Sequence, residues 1–492
     1  MVDDLLTDPD PSLIGRRASR GVMYLLLRYG GVQVTGLAAN IALSRLLTPD
    51  AYGIYAITLF VLVLMAFLSD FGLGPALLQK RASVSDTDLG TVFITQQVVL
   101  AALLLAVLLA APGLASLYHL GASGVWYFRA IALAGLFASL KTVPTIVLER
   151  QLLYGRLTLV EVLEVVLFQG TAVLLAVLHY GAWSFVWAVI VSKAAGCVLS
   201  YVLSGWRPVL KFTRSAFLGL WSFAAPFQLT WVTYLLRDYM IPILGGLLVS
   251  TTEVGYLNWA LAIASVPGQM AQIVGRVSFP SFSRLQSDTR LLRQAIETSV
   301  RALFLVAVPL ELAVFSLAPW LISVVFTSRW APALVPLYLL CIHWTGANLT
   351  SPLVAALNAI GKPRTALLLN AGWTASTIAL AVFFVHQIGY VGIALAYAIT
   401  MVGAATIAVL LVKRTVGIDL WQQVRLPVSA ALLVALGGSL AVRVFPASLL
   451  ALLVVGTAMG LGYWALVWIA EGTRLRADIG SLMGSGEAAA SK

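Results

Sequence analysis

An apolar run from residue 52 to residue 71 constrains this chain more than any other feature. At about 1.5 Å per helical residue, about twenty residues span the ~30 Å hydrocarbon layer of a bilayer. The run follows a turn at Thr48, Pro49 and Asp50, where proline fixes φ and the polar side chains can bond the backbone. It ends near Asp70 and a glycine-rich corner that leads to a basic pair. This pattern predicts a membrane-spanning helix with chemically different ends.

Similar runs recur along the whole chain. Hydrophobic residues make up 60% of the 492 residues and charged residues only 10%, a composition that excludes a soluble globular protein. Helix is expected for every run, because lipid cannot satisfy backbone polar groups and the runs are too long for barrel strands. We predict fourteen spans, at 21–46, 52–71, 89–112, 125–148, 158–179, 182–204, 216–247, 254–279, 297–326, 332–360, 365–386, 389–412, 425–444 and 447–470.

The basic residues predict the orientation. Twenty lysines and arginines lie at one set of span ends, whereas only Arg45, Arg329 and Arg443 lie at the other. The positive-inside rule therefore places both termini in the cytoplasm, which requires an even number of spans. Topology and contact with anionic lipid headgroups account for the net charge of +11, so nucleic-acid binding is not expected. The polar, acidic start of the chain has no signal-peptide pattern.

Landmarks repeat after about two hundred residues. Gly53 and Gly255 are 202 residues apart, and Pro144 and Pro352 are 208 apart. Repeats of this kind indicate duplication. The predicted fold is an all-α polytopic membrane protein of about fourteen transmembrane helices, with two six-helix lobes related by a pseudo-two-fold axis along the membrane normal and two extra C-terminal helices. The predicted parts are a cytoplasmic tail 1–20, an N-lobe 21–204, a linker 205–215, a C-lobe 216–412, helices 13 and 14 at 425–470 and a cytoplasmic tail 471–492. The segment 281–297 reads as an amphipathic interfacial helix.

Ionisable residues within spans cost about 2.5–3.5 kcal/mol each on insertion scales, so they indicate pathways or ion pairs. Arg129 lies near the outer interface, and Arg301 lies four residues from Glu297 near the inner one, which favours snorkelling and a local ion pair. Lys193 and Glu311 lie close to the middle of their spans, where pairing with a neighbouring helix and a transport role remain open.

Polar residues also form stripes on three predicted helices. On helix 8, five side chains share one face at 100° per residue. Helices 1 and 7 carry shorter sets. Such stripes either line a polar cavity or join helices by hydrogen bonds, and both readings stay open. The sets are Asn258, Ser265, Gln269, Gln272 and Arg276 on helix 8, Arg28, Gln33 and Asn40 on helix 1, and Gln228, Tyr234, Arg237 and Asp238 on helix 7.

Motifs for catalysis and metal binding are missing from the sequence. It contains no HExxH, GxSxG or Walker A pattern, and no long outer loop could hold paired acids. Cys197 and Cys341 lie inside apolar runs and read as small core residues. We therefore expect no catalytic residues, no metal site and no enzymatic activity.

Three motifs carry a family resemblance. The runs LSRLLTPDAYGIYA and SDFGLGPALLQK in the first half, and NAIGKPR at 358–364 in the second, resemble Wzx-type polysaccharide repeat-unit flippases of the multidrug/oligosaccharidyl-lipid/polysaccharide exporter superfamily. The resemblance implies two six-helix lobes with extra helices. It also implies an activity, namely movement of undecaprenyl-diphosphate-linked sugar repeats from the inner to the outer leaflet of the bacterial cytoplasmic membrane by alternating access.

By the same resemblance, helices 1, 2, 7 and 8 enclose the headgroup cavity. The expected headgroup contacts are Arg28, Gln33, Asn40, Gln228, Arg237, Asn258, Gln269, Gln272 and Arg276. Residues expected to couple an ion or to pair charges are Asp70, Lys193, Asp238 and Glu311. For Asp70, pairing with Lys80 or Arg81 is the alternative. Trp231 or Trp259 would stack on sugar rings.

The expected partners are the lipid-linked oligosaccharide, membrane lipids and polysaccharide polymerase or other assembly proteins. No cofactor is expected, and a proton or sodium gradient would supply the energy. A peptidoglycan-precursor flippase and a multidrug exporter of the same superfamily remain alternatives. A membrane polymerase or ligase, from a different class, is disfavoured by the short outer loops.

Overall fold

The computed structural model describes residues 35–80, 84–286 and 288–490. Within these ranges, the side chains of 269–281, of 473–490 and of several residues between 223 and 234 lie outside the description. Every regular element in these ranges is a helix. The α-helices are α1 (35–46), α2 (Pro49–Asp70), α3 (Leu73–Gln79), α4 (Asp86–Leu117), α5 (Gly121–Leu140), α6 (Thr142–Arg150), α7 (Tyr154–Val177), α8 (Trp183–Ser204), α9 (Arg214–Asp238), α10 (Gly246–Leu248), α11 (Thr251–Arg284), α12 (Thr289–Trp320), α13 (Leu334–Ala359), α14 (Pro363–Ile388), α15 (Val391–Val416), α16 (Trp421–Val444) and α17 (Leu449–Ala490). Two π-helices (Ile241–Gly245 and Leu321–Phe326) and one 3₁₀ helix (Ser328–Ala333) complete them.

This architecture confirms an all-α chain with many membrane helices. Ten helices in the described part of the chain are long and apolar enough to span a bilayer. The helices α9, α11 and α13 are as long but are not among the ten, because polar residues interrupt their apolar sequence. Two of them, α9 and α11, coincide with predicted helices 7 and 8, which carry polar stripes. The count of fourteen spans stays a prediction.

Two compact units divide the chain within α11, one ending at Asn258 and the other starting at Trp259. In the first unit, a core forms where α3, α4, α6 and α9 meet, around residues such as Leu73, Val92 and Leu220. In the second unit, a larger core joins α12, α13, α15 and α16 and includes Val300, Leu357 and Val412. The stretch 205–213, in the predicted linker, has no regular structure. The predicted lobe boundaries and the pseudo-two-fold axis stay predictions.

The predicted interfacial helix at 281–297 is wrong. Helix α11 continues to Arg284, and α12 already begins at Thr289. Asp288 caps the new helix by accepting hydrogen bonds from the backbone nitrogens of Arg290 and Leu291 at 2.9 and 3.0 Å. The apolar residues Phe282, Leu292 and Ile296 are buried in the core of the second unit. Their periodicity therefore reflects helix packing rather than a membrane surface.

At three of the prolines in the described helices, a tyrosine hydroxyl distant in sequence donates to the carbonyl four residues before the proline. A proline at position i has no N–H to donate to the carbonyl of residue i−4. Pro144 thus leaves the Leu140 carbonyl without its usual partner, and the Tyr201 hydroxyl donates to it at 3.0 Å. This break divides the predicted fourth span into α5 and α6.

The second unit repeats the arrangement twice. Pro309 frees the Leu305 carbonyl, which accepts a hydrogen bond from the buried Tyr463 hydroxyl at 3.0 Å. Similarly, Pro336 frees the Pro332 carbonyl, which accepts one from Tyr390 at 2.9 Å. These bonds join helices that are distant in sequence, so each tyrosine both satisfies a backbone group and fixes a helix contact.

The first turns of α2 and α11 cross at very short range. A Cβ atom at Gly53 would overlap the Thr251 carbonyl, and one at Gly255 would overlap the Pro49 carbonyl. Each glycine thus faces the carbonyl located four residues before the other glycine. The Thr251 hydroxyl also donates to the Asp50 carboxylate. The two glycines that mark the sequence repeat therefore contact each other reciprocally within the first unit.

We expect Tyr463→Phe to destabilise the protein by about 1–3 kcal/mol, because the buried Leu305 carbonyl would lose its donor. Thermal unfolding of the purified protein, followed by size-exclusion elution, measures the change. Tyr338→Phe is the control, because its ring packs on Phe315 with centroids 4.2 Å apart and that contact survives the change. Equal losses in the two variants would contradict the role assigned to the Tyr463 hydroxyl.

Candidate functional site

Several predicted site residues lie outside the described part of the chain. Arg28 and Gln33 precede residue 35, where the description begins. The side chains of Gln269, Gln272 and Arg276 are also outside it, although their backbone is helical in α11. Their headgroup contacts stay predictions.

Arg237 and Asp238 lie where helix 7 loses its α-helical geometry. Helix α9 ends at Asp238, and a π-helix containing Pro242 begins at Ile241. π-Helical turns within helices occur often at functional sites. The Arg237 Nε donates to the Asp238 carboxylate at 2.7 Å, and 55% of the Asp238 side chain is exposed against 24% for Arg237. Both residues fall inside the predicted span 216–247, so this exposed carboxylate requires water or a polar ligand.

Gln228 takes a structural hydrogen bond. Its amide nitrogen donates to the Phe67 carbonyl at 2.9 Å. Helix α2 ends three residues later at Asp70, and Phe71 and Gly72 adopt left-handed conformations with φ of 51° and 71°. The last carbonyls of a helix have no partner within it, so Gln228 satisfies one of them. This residue is explained as a helix-to-helix contact within the first unit.

Asp70 stabilises the corner between α2 and α3. Its Oδ1 accepts hydrogen bonds from Gln96 Nε2 at 2.8 Å and from the Gly74 backbone nitrogen at 3.3 Å. Lys80, the alternative partner considered from the sequence, is bonded to Asp88 at 2.6 Å instead. Arg81 lies outside the described residues.

The two asparagines of the predicted cavity wall are half-buried. The Asn40 side-chain oxygen is 3.5 Å from the Ser44 hydroxyl, and its backbone carbonyl accepts from the Tyr52 hydroxyl at 3.4 Å. Asn258 is the last residue of the first unit.

Lys193 belongs to a three-residue charge network in the first unit. Its Nζ is 2.7 Å from Glu164 Oε2, while Lys141 contacts the other oxygen, Oε1, of the same carboxylate. A Cβ at Gly196 would overlap the Glu164 carboxyl, so glycine makes the approach of α7 to α8 possible. The sequence left the partner of Lys193 open. Gly196, about one turn after Lys193, is the sequence signal for the close approach of the two helices.

Glu311 is enclosed in the second unit by neutral donors. The residue is 1% exposed, and Asn348 Nδ2 donates to its Oε1 at 2.6 Å. The Thr345 hydroxyl donates to Oε2. Among the ion pairs of the described residues, none includes Glu311. The side-chain amide oxygen of Asn348, Oδ1, is buried without a hydrogen-bond partner.

Two expectations about charged and aromatic residues are wrong. Arg301 does not pair with Glu297; it is 2% exposed and contacts Glu471 at 2.6 Å, whereas Glu297 pairs with Arg293 at 2.8 Å. Trp259 is fully buried, and its ring stacks on Trp330 at 5.0 Å, so it has no face for a sugar. In both cases a partner distant in sequence determines the contact.

Arg129 lies over the Trp126 ring at 5.2 Å, which is typical of a cation–π contact near a membrane interface. Cys197 and Cys341 are buried free thiols, as their apolar surroundings predict. In the described ranges, no three His, Cys, Asp or Glu side chains converge as metal ligands do.

Comparison with known proteins identifies related sequences. The family model described as "Polysaccharide biosynthesis protein" matches residues 42–335, more than half of the chain. The succinoglycan biosynthesis transport protein ExoT of Rhizobium meliloti is 24% identical over 357 residues, covering 72% of this chain and 71% of ExoT. The lipopolysaccharide biosynthesis protein WzxC of Escherichia coli is 22% identical over 382 residues, covering 73% and 70%. The teichuronic acid biosynthesis protein TuaB of Bacillus subtilis is 26% identical, covering 62% and 63%.

Solved structures share the fold. The lipid II flippase MurJ in an inward closed conformation superposes with a TM-score of 0.78 at 14% identity, covering 92% of this chain and all of MurJ. An inward-facing multidrug resistance transporter of the MATE family, from the MOP superfamily, gives a TM-score of 0.61 at 16% identity, covering 78% and 94%. The helical membrane architecture and the family match agree, and the chain belongs to the polysaccharide biosynthesis protein family.

Proposed function

We propose that this protein is a flippase for lipid-linked oligosaccharides. It would move undecaprenyl-diphosphate-linked sugar repeats from the inner to the outer leaflet of the bacterial cytoplasmic membrane, with both termini in the cytoplasm. The product would serve exopolysaccharide, capsule or O-antigen synthesis, and a polymerase and other assembly proteins would be partners. The family match and the relatives named for succinoglycan transport and lipopolysaccharide biosynthesis support this proposal.

The observation that carries it is the pair of a half-buried Arg237 and an exposed Asp238 at the interruption of helix 7. A diphosphate-sugar headgroup cannot enter hydrocarbon unaided, since an isolated charge there costs tens of kcal/mol in the idealised limit. A guanidinium replaces water around phosphate oxygens well, because its planar N–H groups donate in pairs. Arg28 and Arg276 would assist Arg237, and Gln269 and Gln272 would bond sugar hydroxyls.

Native mass spectrometry of the protein extracted from its host membrane tests the substrate class. We expect the wild type to carry a polyprenyl-diphosphate oligosaccharide, and Arg237→Ala to lose it and to reduce export about tenfold, the effect of losing about 1.4 kcal/mol of binding. Arg129→Ala, at the Trp126 ring, is the matched control and should keep both lipid and export.

The mass of the lipid also separates the alternatives. A peptidoglycan precursor would favour the lipid II flippase, and ordinary phospholipids alone would overturn the flippase proposal. Loss of export in Arg129→Ala with full export in Arg237→Ala would reverse the assignment of the headgroup site.

Alternating access would supply the movement. The first turns of α2 and α11 lie at the predicted outer ends of helices 2 and 8. Their reciprocal glycine contact and the Asp50–Thr251 hydrogen bond support a gate that is closed on the outer side in this structure. Release of the headgroup to the outer leaflet would require these turns to separate.

A cysteine pair tests the gate. In Asp50→Cys/Thr251→Cys, oxidation should join the two turns, and export should fall at least about tenfold and recover when a reductant is added. The two single variants, with the buried native Cys197 and Cys341, provide the controls. Full export by the fully cross-linked protein would exclude separation of α2 and α11 as the outer opening step.

Glu311 is the strongest candidate for ion coupling. A buried carboxylate that has only neutral donors gains most from a bound proton or sodium ion, because the cation removes the cost of burying an unpaired charge. The Thr345 and Asn348 side chains would orient the carboxylate for that cation. Lys193, Asp238 and Asp70 are weaker candidates. Lys193 and Asp238 already have ion partners, and Asp70 is only half-buried, whereas Glu311 is 1% exposed.

Glu311→Gln should therefore abolish the dependence of export on an imposed ion gradient, since glutamine is neutral with or without the ion. Export by membrane vesicles with a proton or a sodium gradient is the measurement, and it also identifies the ion. Glu297→Gln, at the start of α12 and paired with Arg293, is the control. Gradient-driven export of wild-type size by Glu311→Gln would remove this residue from the coupling mechanism.

A further inference from the structure

A cavity of about 370 Å³ lies within the first unit, where α2, α7 and α8 meet. Small-molecule sites in proteins have volumes of about 300–1,000 Å³, so this cavity lies near the small end and is too small for a whole oligosaccharide. Its wall combines aromatic, amide, hydroxyl and charged side chains. The residues used below are Tyr55, Glu161, Glu164, Phe168, Gln169 and Lys193.

An aromatic surface forms one side of the cavity. The rings of Tyr55 and Phe168 have centroids 6.0 Å apart, and Tyr55 stacks on Phe185 at 4.4 Å. Tyr55 and Phe168 are only half-buried, so part of each ring faces the cavity. Aromatic rings with an apolar face and fixed orientation contact flat, partly apolar ligands at low entropic cost.

The polar side of the cavity is electrically balanced. Glu164 is held between Lys193, at 2.7 Å, and Lys141, and Glu161 lies one turn earlier on the same helix. Lys141 does not line the cavity, but with it the cluster of two carboxylates and two ammonium groups has no net formal charge. Together with the amide of Gln169, they offer fixed hydrogen-bond acceptors and donors side by side.

We propose that this cavity is a saccharide subsite that binds one neutral sugar ring by stacking on Tyr55 and Phe168 and by hydrogen bonds to Glu161, Gln169 and Lys193. The assignment rests on the proposed function and names the chemistry of one part of its substrate. Each sugar hydroxyl both donates and accepts, which fits a wall where acceptors and donors alternate.

Other occupants fit less well. A simple anion would meet the two carboxylates of the wall. A simple cation would meet the Lys193 ammonium group, and it would gain little from Glu164, which Lys141 and Lys193 already bind. An acyl chain would leave three charged side chains in contact with hydrocarbon, which is costly. A sugar ring has an apolar face for the aromatic side and hydroxyls for the charged side, so it satisfies both.

The test uses cellobiose, a neutral disaccharide, and the full-length protein in lipid nanodiscs. Saturation-transfer NMR should detect magnetisation passed to the ring protons of the sugar. We expect Phe168→Ala to weaken cellobiose binding about tenfold, the effect of losing one stacking contact of about 1.4 kcal/mol. Gln169→Leu, which keeps the side-chain volume, should weaken it in the same direction.

Phe383→Ala is the matched control, because Phe383 is an exposed aromatic residue of α14 in the second unit. It should bind cellobiose as the wild type does. Elution of each variant as a single size-exclusion peak verifies folding. No cellobiose signal in the wild type, or equal signals in the wild type, Phe168→Ala and Gln169→Leu, would overturn the subsite.

The two proposals can fail separately. A polyprenyl-diphosphate oligosaccharide could co-purify with the wild type while the cavity variants bind cellobiose as well as the wild type does. In that case the subsite is wrong and the flippase proposal stands. If only phospholipids co-purify while cellobiose binding depends on Phe168, the subsite stands for free saccharides and the flippase proposal fails. If protein loaded with the lipid-linked oligosaccharide gives no cellobiose signal, the cavity is occupied by a sugar ring of that oligosaccharide.

Discussion

Backbone hydrogen bonding in a non-aqueous environment is the constraint on which this structure depends. Lipid offers no partner for a carbonyl that loses its helical donor, so a carbonyl freed by a proline inside a span is stabilised by a donor from elsewhere in the protein. Tyrosine hydroxyls do so at Leu140, Leu305 and Pro332. Gln228 does the same at the end of α2. Each of these four bonds therefore satisfies a backbone carbonyl and at the same time joins two segments that are distant in sequence.

Buried charged side chains also need partners, and leaving one unpaired costs more free energy than leaving a carbonyl unpaired. A buried ionised group is stable only with a partner, and removing one member of a buried pair costs about 3–5 kcal/mol. Lys141 and Lys193 share Glu164, and Arg301 contacts Glu471. Glu311 differs, since only neutral groups donate to it, and the Arg237–Asp238 pair differs in its exposure. These departures from simple pairing are what make the two positions candidates for transport.

The start of α2 contains both the family motif and the closest helix crossing described above. The motif that resembles the flippase family contains the turn at Pro49 and the glycine at 53, and both belong to the crossing with α11. A side chain at either glycine would separate the helices, so the residues that mark the duplication also determine how closely the first turns approach.

The sequence by itself determined the helical class, the approximate helix positions and the family, because hydrophobic run length and glycine–proline landmarks are local properties that lipid imposes on any spanning chain. It also identified the deep charges, because a charged residue inside an apolar run is recognised without knowledge of its partner. Only the tertiary structure decided the partners. Arg301 was expected to pair with Glu297 four residues away but contacts Glu471, and Trp259 stacks on Trp330 rather than facing a cavity. Such contacts depend on which helices become neighbours, and one-dimensional periodicity defines the face of a helix without naming what packs against it.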